Sequence, residues 1–213
     1  MRRLSPWVLT AALVGALTGA RDAGAITIDF ESLAHTDSEI MLHVQPYSED
    51  GFILTAPGGN LVSNGTLRVN FSGSTALFNG FVGGVQRITK DGGGAFSLIS
   101  IDLSELNATQ PTQVFTGFLA EGGTVTRELT LDGVAFGPET FVFDSSFGNL
   151  TAVEWTSPMD GSDGPVQYDN IVVGAPIVAV PVLPMPAVLV LALLLCAAAA
   201  AEMRRAGISA QAL

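Results

Sequence analysis

Apolar and polar residues alternate at every second position in several short stretches of this chain. Ile26, Ile28 and Phe30 alternate with Thr27 and Asp29, and Leu67, Val69 and Phe71 alternate with Arg68 and Asn70. A period of two belongs to a half-buried β-strand, whose side chains point to opposite faces in turn. The pattern puts Val69 on a buried face, where an introduced carboxylate is expected to unfold the protein. Two further runs, Val114 to Leu119 and Val125 to Leu131, flank Glu121-Gly122-Gly123 and read as a hairpin. Strands are also predicted over Phe52 to Thr55, Ala76 to Phe78, Val85 to Thr89, Phe96 to Leu103, Phe141 to Phe143, Leu150 to Trp155 and Val166 to Val173. Glycines at Gly58-Gly59, Gly83-Gly84 and Gly92-Gly93-Gly94 punctuate them as turns. No convincing helix and no fixed-period repeat interrupts the series. The predicted fold class is all-β: a two-sheet antiparallel sandwich, specifically a jelly roll.

Two stretches break the alternation by being apolar throughout. Met1-Arg2-Arg3 precedes an almost unbroken apolar run from Trp7 to Ala20, and Ala23-Gly24-Ala25 follows as an A-x-A cleavage sequence. That order is a secretory signal peptide over residues 1–25, cut after Ala25 to leave Ile26 as the mature N-terminus. An uncleaved anchor is the alternative. At the other end no charge occurs from Gly174 through Ala201, and Ala187 to Ala201 is continuously apolar before Glu202, Met203, Arg204 and Arg205. With its Pro-rich approach this stretch is long enough to cross a bilayer, and the arginine pairs at both ends of the chain are expected to stay cytoplasmic. The chain thus divides into a signal peptide (1–25), a β-sandwich (26–174), a Pro-rich linker with a motif (175–186), a transmembrane helix with a basic flank (187–205) and a polar tail (206–213).

Charge narrows the partners of the sandwich. Between Ile26 and Gly174 four basic residues face 18 acidic ones, a formal net of −14. Nucleic acid and anionic lipid surfaces are therefore poor partners. Solubility is the simplest use of such acidity; divalent cations and neutral sugars are compatible with it. The single cysteine, Cys196, lies in the apolar tail, so the sandwich has no internal disulfide.

Catalytic chemistry finds little support. His35 and His43 are spaced by fours with Glu31 and Glu39, which on a helix would form a metal-binding face. The segment has no helix cap or apolar stripe and is closed by Pro46, so two surface-loop histidines are the better reading. There is no G-x-S-x-G elbow, no Ser-His-Asp order and no phosphate-binding loop. Eighteen carboxylates always supply a pair for glycoside hydrolysis, so their presence does not point to it. Trp155 and Tyr168 are the amphipathic aromatics that could stack on a sugar ring, although Trp155 is in phase with Val153 and core packing is its alternative role.

Two resemblances add to this reading. Val180-Pro181-Val182-Leu183-Pro184-Met185-Pro186-Ala187, followed by an apolar helix and the Arg204-Arg205 cluster, resembles the PEP-CTERM class of sorting signals, in particular its VPLPA-type variants. The chain departs from the common form in lacking the motif glutamate and in carrying eight residues after the arginine pair. The resemblance implies recognition of Val180, Pro181, Pro184, Pro186, Arg204 and Arg205 by a membrane protease-transpeptidase, an exosortase, at the inner membrane. It also implies an exported protein of a cell that makes extracellular polysaccharide; an ordinary single-span anchor is the alternative. The order of landmarks from Asp29-Phe30-Glu31, through Tyr47 to Phe52 and Asn149 to Trp155, to Tyr168-Asp169-Asn170-Ile171 is similar to that of carbohydrate-binding, galactose-binding-like jelly-roll modules. In those modules a calcium ion commonly bridges the first and last strands. The resemblance implies such a site at Asp29, Glu31, Asp169 and Asn170, whose oxygens are of the hard type calcium prefers. The function expected from the sequence is an exported surface or matrix protein with a non-catalytic, glycan-binding sandwich. A carbohydrate-active hydrolase with paired carboxylates and a purely structural envelope protein are the alternatives.

Overall fold

The computed structural model describes residues 24–81, 83–134, 136–156 and 166–177, together with residues 194, 197, 198, 201 and 202. The chain divides into two compact units, Met1–Val178 and Ala179–Leu213. In the first, thirteen strands are described: β1 (Ile26–Ile28), β2 (Ile40–His43), β3 (Tyr47–Glu49), β4 (Phe52–Thr55), β5 (Leu61–Asn64), β6 (Leu77–Asn79), β7 (Val85–Lys90), β8 (Ser97–Glu105), β9 (Thr112–Leu119), β10 (Thr124–Thr130), β11 (Glu139–Val142), β12 (Leu150–Thr156) and β13 (Val166–Gly174).

They form two antiparallel sheets. One has six strands in the order β10-β9-β12-β7-β4-β3. The other has seven: β11-β8-β13-β6-β5-β2, with β1 pairing to β13 as well. β6 meets β13 at Tyr168 and β1 meets it at Ile171 to Val173, so two short strands share one edge of the long one. From β6 onward, the β9–β10 hairpin apart, each connection carries the chain to the other sheet. The faces that meet are largely apolar. Ile88, Phe115, Val153 and Trp155 of the six-stranded sheet pack with Leu77, Ile101, Leu103, Tyr168 and Val173 of the seven-stranded one in a single core. Phe30, in the turn after β1, is fully buried and edge-on to Tyr168 at 6.0 Å. The all-β, two-sheet expectation therefore agrees with the architecture.

The predicted hairpin is present, with β9 and β10 in register from Thr112↔Thr130 to Phe118↔Thr124. Gly122 and Gly123 both take positive φ (95° and 86°), a backbone that side chains rarely tolerate and glycine adopts freely.

Leu67 to Phe71 corrects one expectation. The alternation is real, but the segment is a series of turns, and Leu67 and Val69 are 73% and 76% exposed. Its backbone donors close turns or reach the neighbouring loop: Arg68 N–H donates to the Gly65 carbonyl at 2.9 Å and Phe71 N–H to that of Arg68 at 3.1 Å, while Thr66 N–H donates to the His35 carbonyl and Leu67 N–H to that of Asp37, each at 3.0 Å. Its polar residues are the anchors. The Asn70 side chain donates to the Leu106 carbonyl at 2.6 Å, and the Asn70 carbonyl accepts from Gln167 at 2.9 Å. Alternation puts residues on a common side only where the backbone is extended; here it turns, and Leu67 and Val69 are left facing out. Three strands, β2, β3 and β5, lie where the pattern predicts none. β2 is an edge strand with exposed Ile40, Met41 and Leu42, so its alternation is blurred.

In the second unit, Leu194, Ala197, Ala198, Ala201 and Glu202 are helical. No helix among the described residues is long and apolar enough to cross a membrane. The predicted 187–205 span, the motif residues Val180, Pro181, Pro184 and Pro186, the basic pair Arg204 and Arg205, and Ala23 of the cleavage sequence lie outside the described residues or largely so. Ala25 is described and exposed, immediately before β1.

Candidate functional site

The outward residues of the six-stranded sheet follow from its inward ones. Leu54, Ile88, Phe115 and Trp155 point between the sheets, so their strand neighbours Thr55, Arg87, Thr116 and Glu154 point away. Register then lines up Thr126, Thr116, Glu154, Arg87 and Thr55 as one row across five strands. Arg87 pairs with Glu154 through a direct guanidinium–carboxylate contact, with both side chains about one-third exposed. The Arg87 guanidinium also sits 5.2 Å from the centre of the Phe118 ring, which is half-buried in the next row beside Ala152 and Thr89. An exposed pair of this kind contributes at most about 1 kcal/mol to stability. What it does offer is the guanidinium donors not spent on Glu154, carboxylate acceptors and an aromatic ring partly covered by the Arg87 guanidinium, bordered by threonine hydroxyls. That set suits a ligand with both hydroxyls and a C–H face.

Sequence reasoning missed Arg87, Glu154, Thr116 and Phe118. Their outward phase was readable within each strand, but nothing local tells that β7, β12 and β9 are neighbours. The aromatics that were singled out are elsewhere. Trp155 and Tyr168 are buried in the core, Trp155 stacked on Phe115 at 5.5 Å and edge-on to Tyr168 at 5.0 Å. Their rings are taken up by protein neighbours and present no face to a ligand. The indole N–H of Trp155 and the hydroxyl of Tyr168 have no hydrogen-bond partner, and burial raises the Tyr168 phenol far above its ordinary value.

Asp29, Glu31, Asp169 and Asn170 do come to one corner of the sandwich, because β1 runs beside β13. There they are held by hydrogen bonds. Glu31 accepts from the backbone N–H of Thr75 at 2.9 Å and from its hydroxyl at 3.1 Å. Asp169 accepts from the Ser74 hydroxyl and, at 2.7 Å, from Asn170 N–H. Asn170 in turn donates its side-chain amide to Asp102 at 2.9 Å, and Asp29 accepts from Glu31 N–H at 3.1 Å. The implied calcium ligands thus spend much of their coordinating capacity on Ser74, Thr75 and each other. Burial, and after it the nearby Glu31 and Asp102 charges, raises Asp169 to about 6. Asn170 lies at a bulge in β13 with φ 45°, and Phe30 has φ 57°; both are left-handed conformations of the kind that costs about 1–3 kcal/mol. Beside Phe30, Glu49 accepts from Phe30 N–H at 3.2 Å and from the Tyr47 hydroxyl at 2.8 Å. Burial leads the causes that push Tyr47 up to about 12 and Glu49 above the usual carboxylate range.

The two histidines share a partner but form no metal face with Glu31 and Glu39. His35 Nε2 and His43 Nε2 both reach the Ser63 hydroxyl, at 3.1 and 2.8 Å, and His35 Nδ1 meets Asp37 at 2.8 Å. Burial, and secondarily His35, lowers the pKa of His43.

No protein-family model matches this chain, and no curated protein matches it. Among solved structures, the chain is similar to a mutant of a family 29 carbohydrate-binding module that was used to probe the mechanism of ligand recognition. The identity is 12%, the match covers 68% of this chain and 100% of that one, and the TM-score is 0.28. Nothing about function follows from a likeness of that size.

Proposed function

We propose that this chain is an exported surface protein whose sandwich, of jelly-roll type, is a non-catalytic module that holds a neutral glycan on the outer face of the six-stranded sheet. The observation that carries the reading is the Arg87–Glu154 pair beside the Phe118 ring, within a row of threonines. A pyranose has apolar C–H faces, which stack on aromatic rings, and adjacent hydroxyls, which match the guanidinium fork and the carboxylate. The excess of acidic residues favours a neutral polymer over an anionic one. Export is supported by the signal-peptide pattern of residues 1–25, and exosortase processing at the inner membrane by the order of Pro-rich motif, apolar stretch and arginine pair.

The binding half is tested by affinity electrophoresis through gels containing neutral polysaccharides, scored beside release of reducing ends. Retention without release is expected. Release of reducing ends by the wild type, abolished by a carboxylate substitution, would make it a hydrolase. For the processing half, the intact mass of surface-extracted protein should begin at Ile26 and lack Arg204 and Arg205; a main species retaining them would indicate a plain anchor.

A further inference from the structure

A second cluster of carboxylates shares no residue with the outer face or with the corner where β1 meets β13. Glu105 ends β8, Asp132 follows β10 and Glu139 opens β11. Each offers one carboxylate oxygen, and the three oxygens lie within 4.8 Å of one another. Glu105 is completely buried. One of its oxygens accepts from Gly133 N–H at 2.8 Å, and the other is buried with no hydrogen-bond partner. Asp132 is exposed; its carboxylate accepts from Val134 N–H at 2.7 Å, and its own N–H donates to Glu139 at 2.9 Å. The ion pairs among the described residues are His35–Asp37 and Arg87–Glu154, and neither reaches this cluster.

A fully buried carboxylate with an unsatisfied oxygen and two acidic neighbours is strongly unfavourable as an anion unless positive charge joins it. The local backbone donors do not meet the need, because Gly133 N–H reaches only one Glu105 oxygen. A hard divalent cation with oxygen ligands meets it directly. Oxygens sharing a calcium ion are at most about 5.2 Å apart, a span the three carboxylates fit, and calcium tolerates irregular ligand sets and accepts waters on an open side such as the one Asp132 borders.

We propose that Glu105, Asp132 and Glu139 form a calcium site, with Glu105 as its buried anchor, that ties the β10–β11 connection to the end of β8. The inference is independent of the glycan reading. The test is calcium titration by calorimetry on the chelator-treated full chain, with melting temperature compared in chelator and in calcium. One site is expected, and a hundredfold excess over Kd should raise Tm by about 5–10 °C. Asp132→Asn and Glu139→Gln should each weaken binding at least tenfold. Glu105→Gln keeps an acceptor for Gly133 N–H, so it should melt at or above wild type in chelator yet gain nothing from calcium. Asp169→Asn should leave the calcium gain intact. A wild-type Tm unmoved by calcium would overturn the proposal, as would a gain that survives Asp132→Asn and Glu139→Gln or is lost only with Asp169→Asn.

Discussion

Asp169 is buried beneath Ser74 and Asn170, and its pKa of about 6 stands above the value of 3.8 it has when exposed. Between these values the folded protein holds a proton that the unfolded chain has released. The stability contributed by this group is therefore complete below about pH 4 and is lost as pH rises through about 6. Urea midpoints measured from pH 4 to pH 7 should fall along that window, and Asp169→Asn should flatten the fall; identical slopes would contradict the assignment. Tyr168 gives a second test. Its hydroxyl is buried without a partner, and such a group costs about 1–3 kcal/mol, so Tyr168→Phe should melt at or above wild type. Trp155→Ala, in contrast, removes a ring packed on Phe115 and Tyr168 and should cost about 3–5 kcal/mol. Val69 reverses the expectation drawn from alternation. Exposed in a turn, it should accept aspartate within about 0.5 kcal/mol, and an unfolded Val69→Asp would restore the buried-strand reading.

Within each strand, local pattern was informative. β4, β7, β9, β10, β12 and β13 were legible because each carries a large apolar residue on its inward side, such as Leu54, Ile88, Phe115, Leu129, Trp155 and Tyr168, and their ends carry turn residues. The β9–β10 connection was legible for a further reason, since two successive glycines between alternating runs point to a turn with positive φ. Substituting both Gly122 and Gly123 with alanine should destabilise the hairpin by about 1–2 kcal/mol, read from thermal melts, because each alanine would have to adopt that strained backbone. β2, β3 and β5 were not legible. β2 and β3 are edge strands, and β5 is buried at all four positions, including Ser63 and Asn64, so none shows a clean period of two. The candidate binding row was invisible for the same underlying reason. Arg87 and Glu154 are 67 residues apart in sequence, and only the pairing of β7 with β12 makes them neighbours.

At the scale of the whole molecule, the sandwich spends most of its described aromatic residues on the core, while charge and hydroxyl groups remain on the outer face of the six-stranded sheet. The excess of acidic residues was legible from composition alone, but its local uses, in the chain-end network and in the Glu105 cluster, depend on which strands the topology brings together. Glycan binding, as proposed, takes place on the outer face of the six-stranded sheet. Affinity electrophoresis of wild type and of the Arg87→Ala/Phe118→Ala double variant in one neutral polysaccharide gel tests this most directly. Both substitutions lie on the outer face, so the variant should keep the wild-type melting temperature to within a few degrees. Wild type should be retarded and the folded variant should run as it does in a plain gel; equal retardation of the two, or no retardation of wild type across a panel of neutral polysaccharides, would contradict the account.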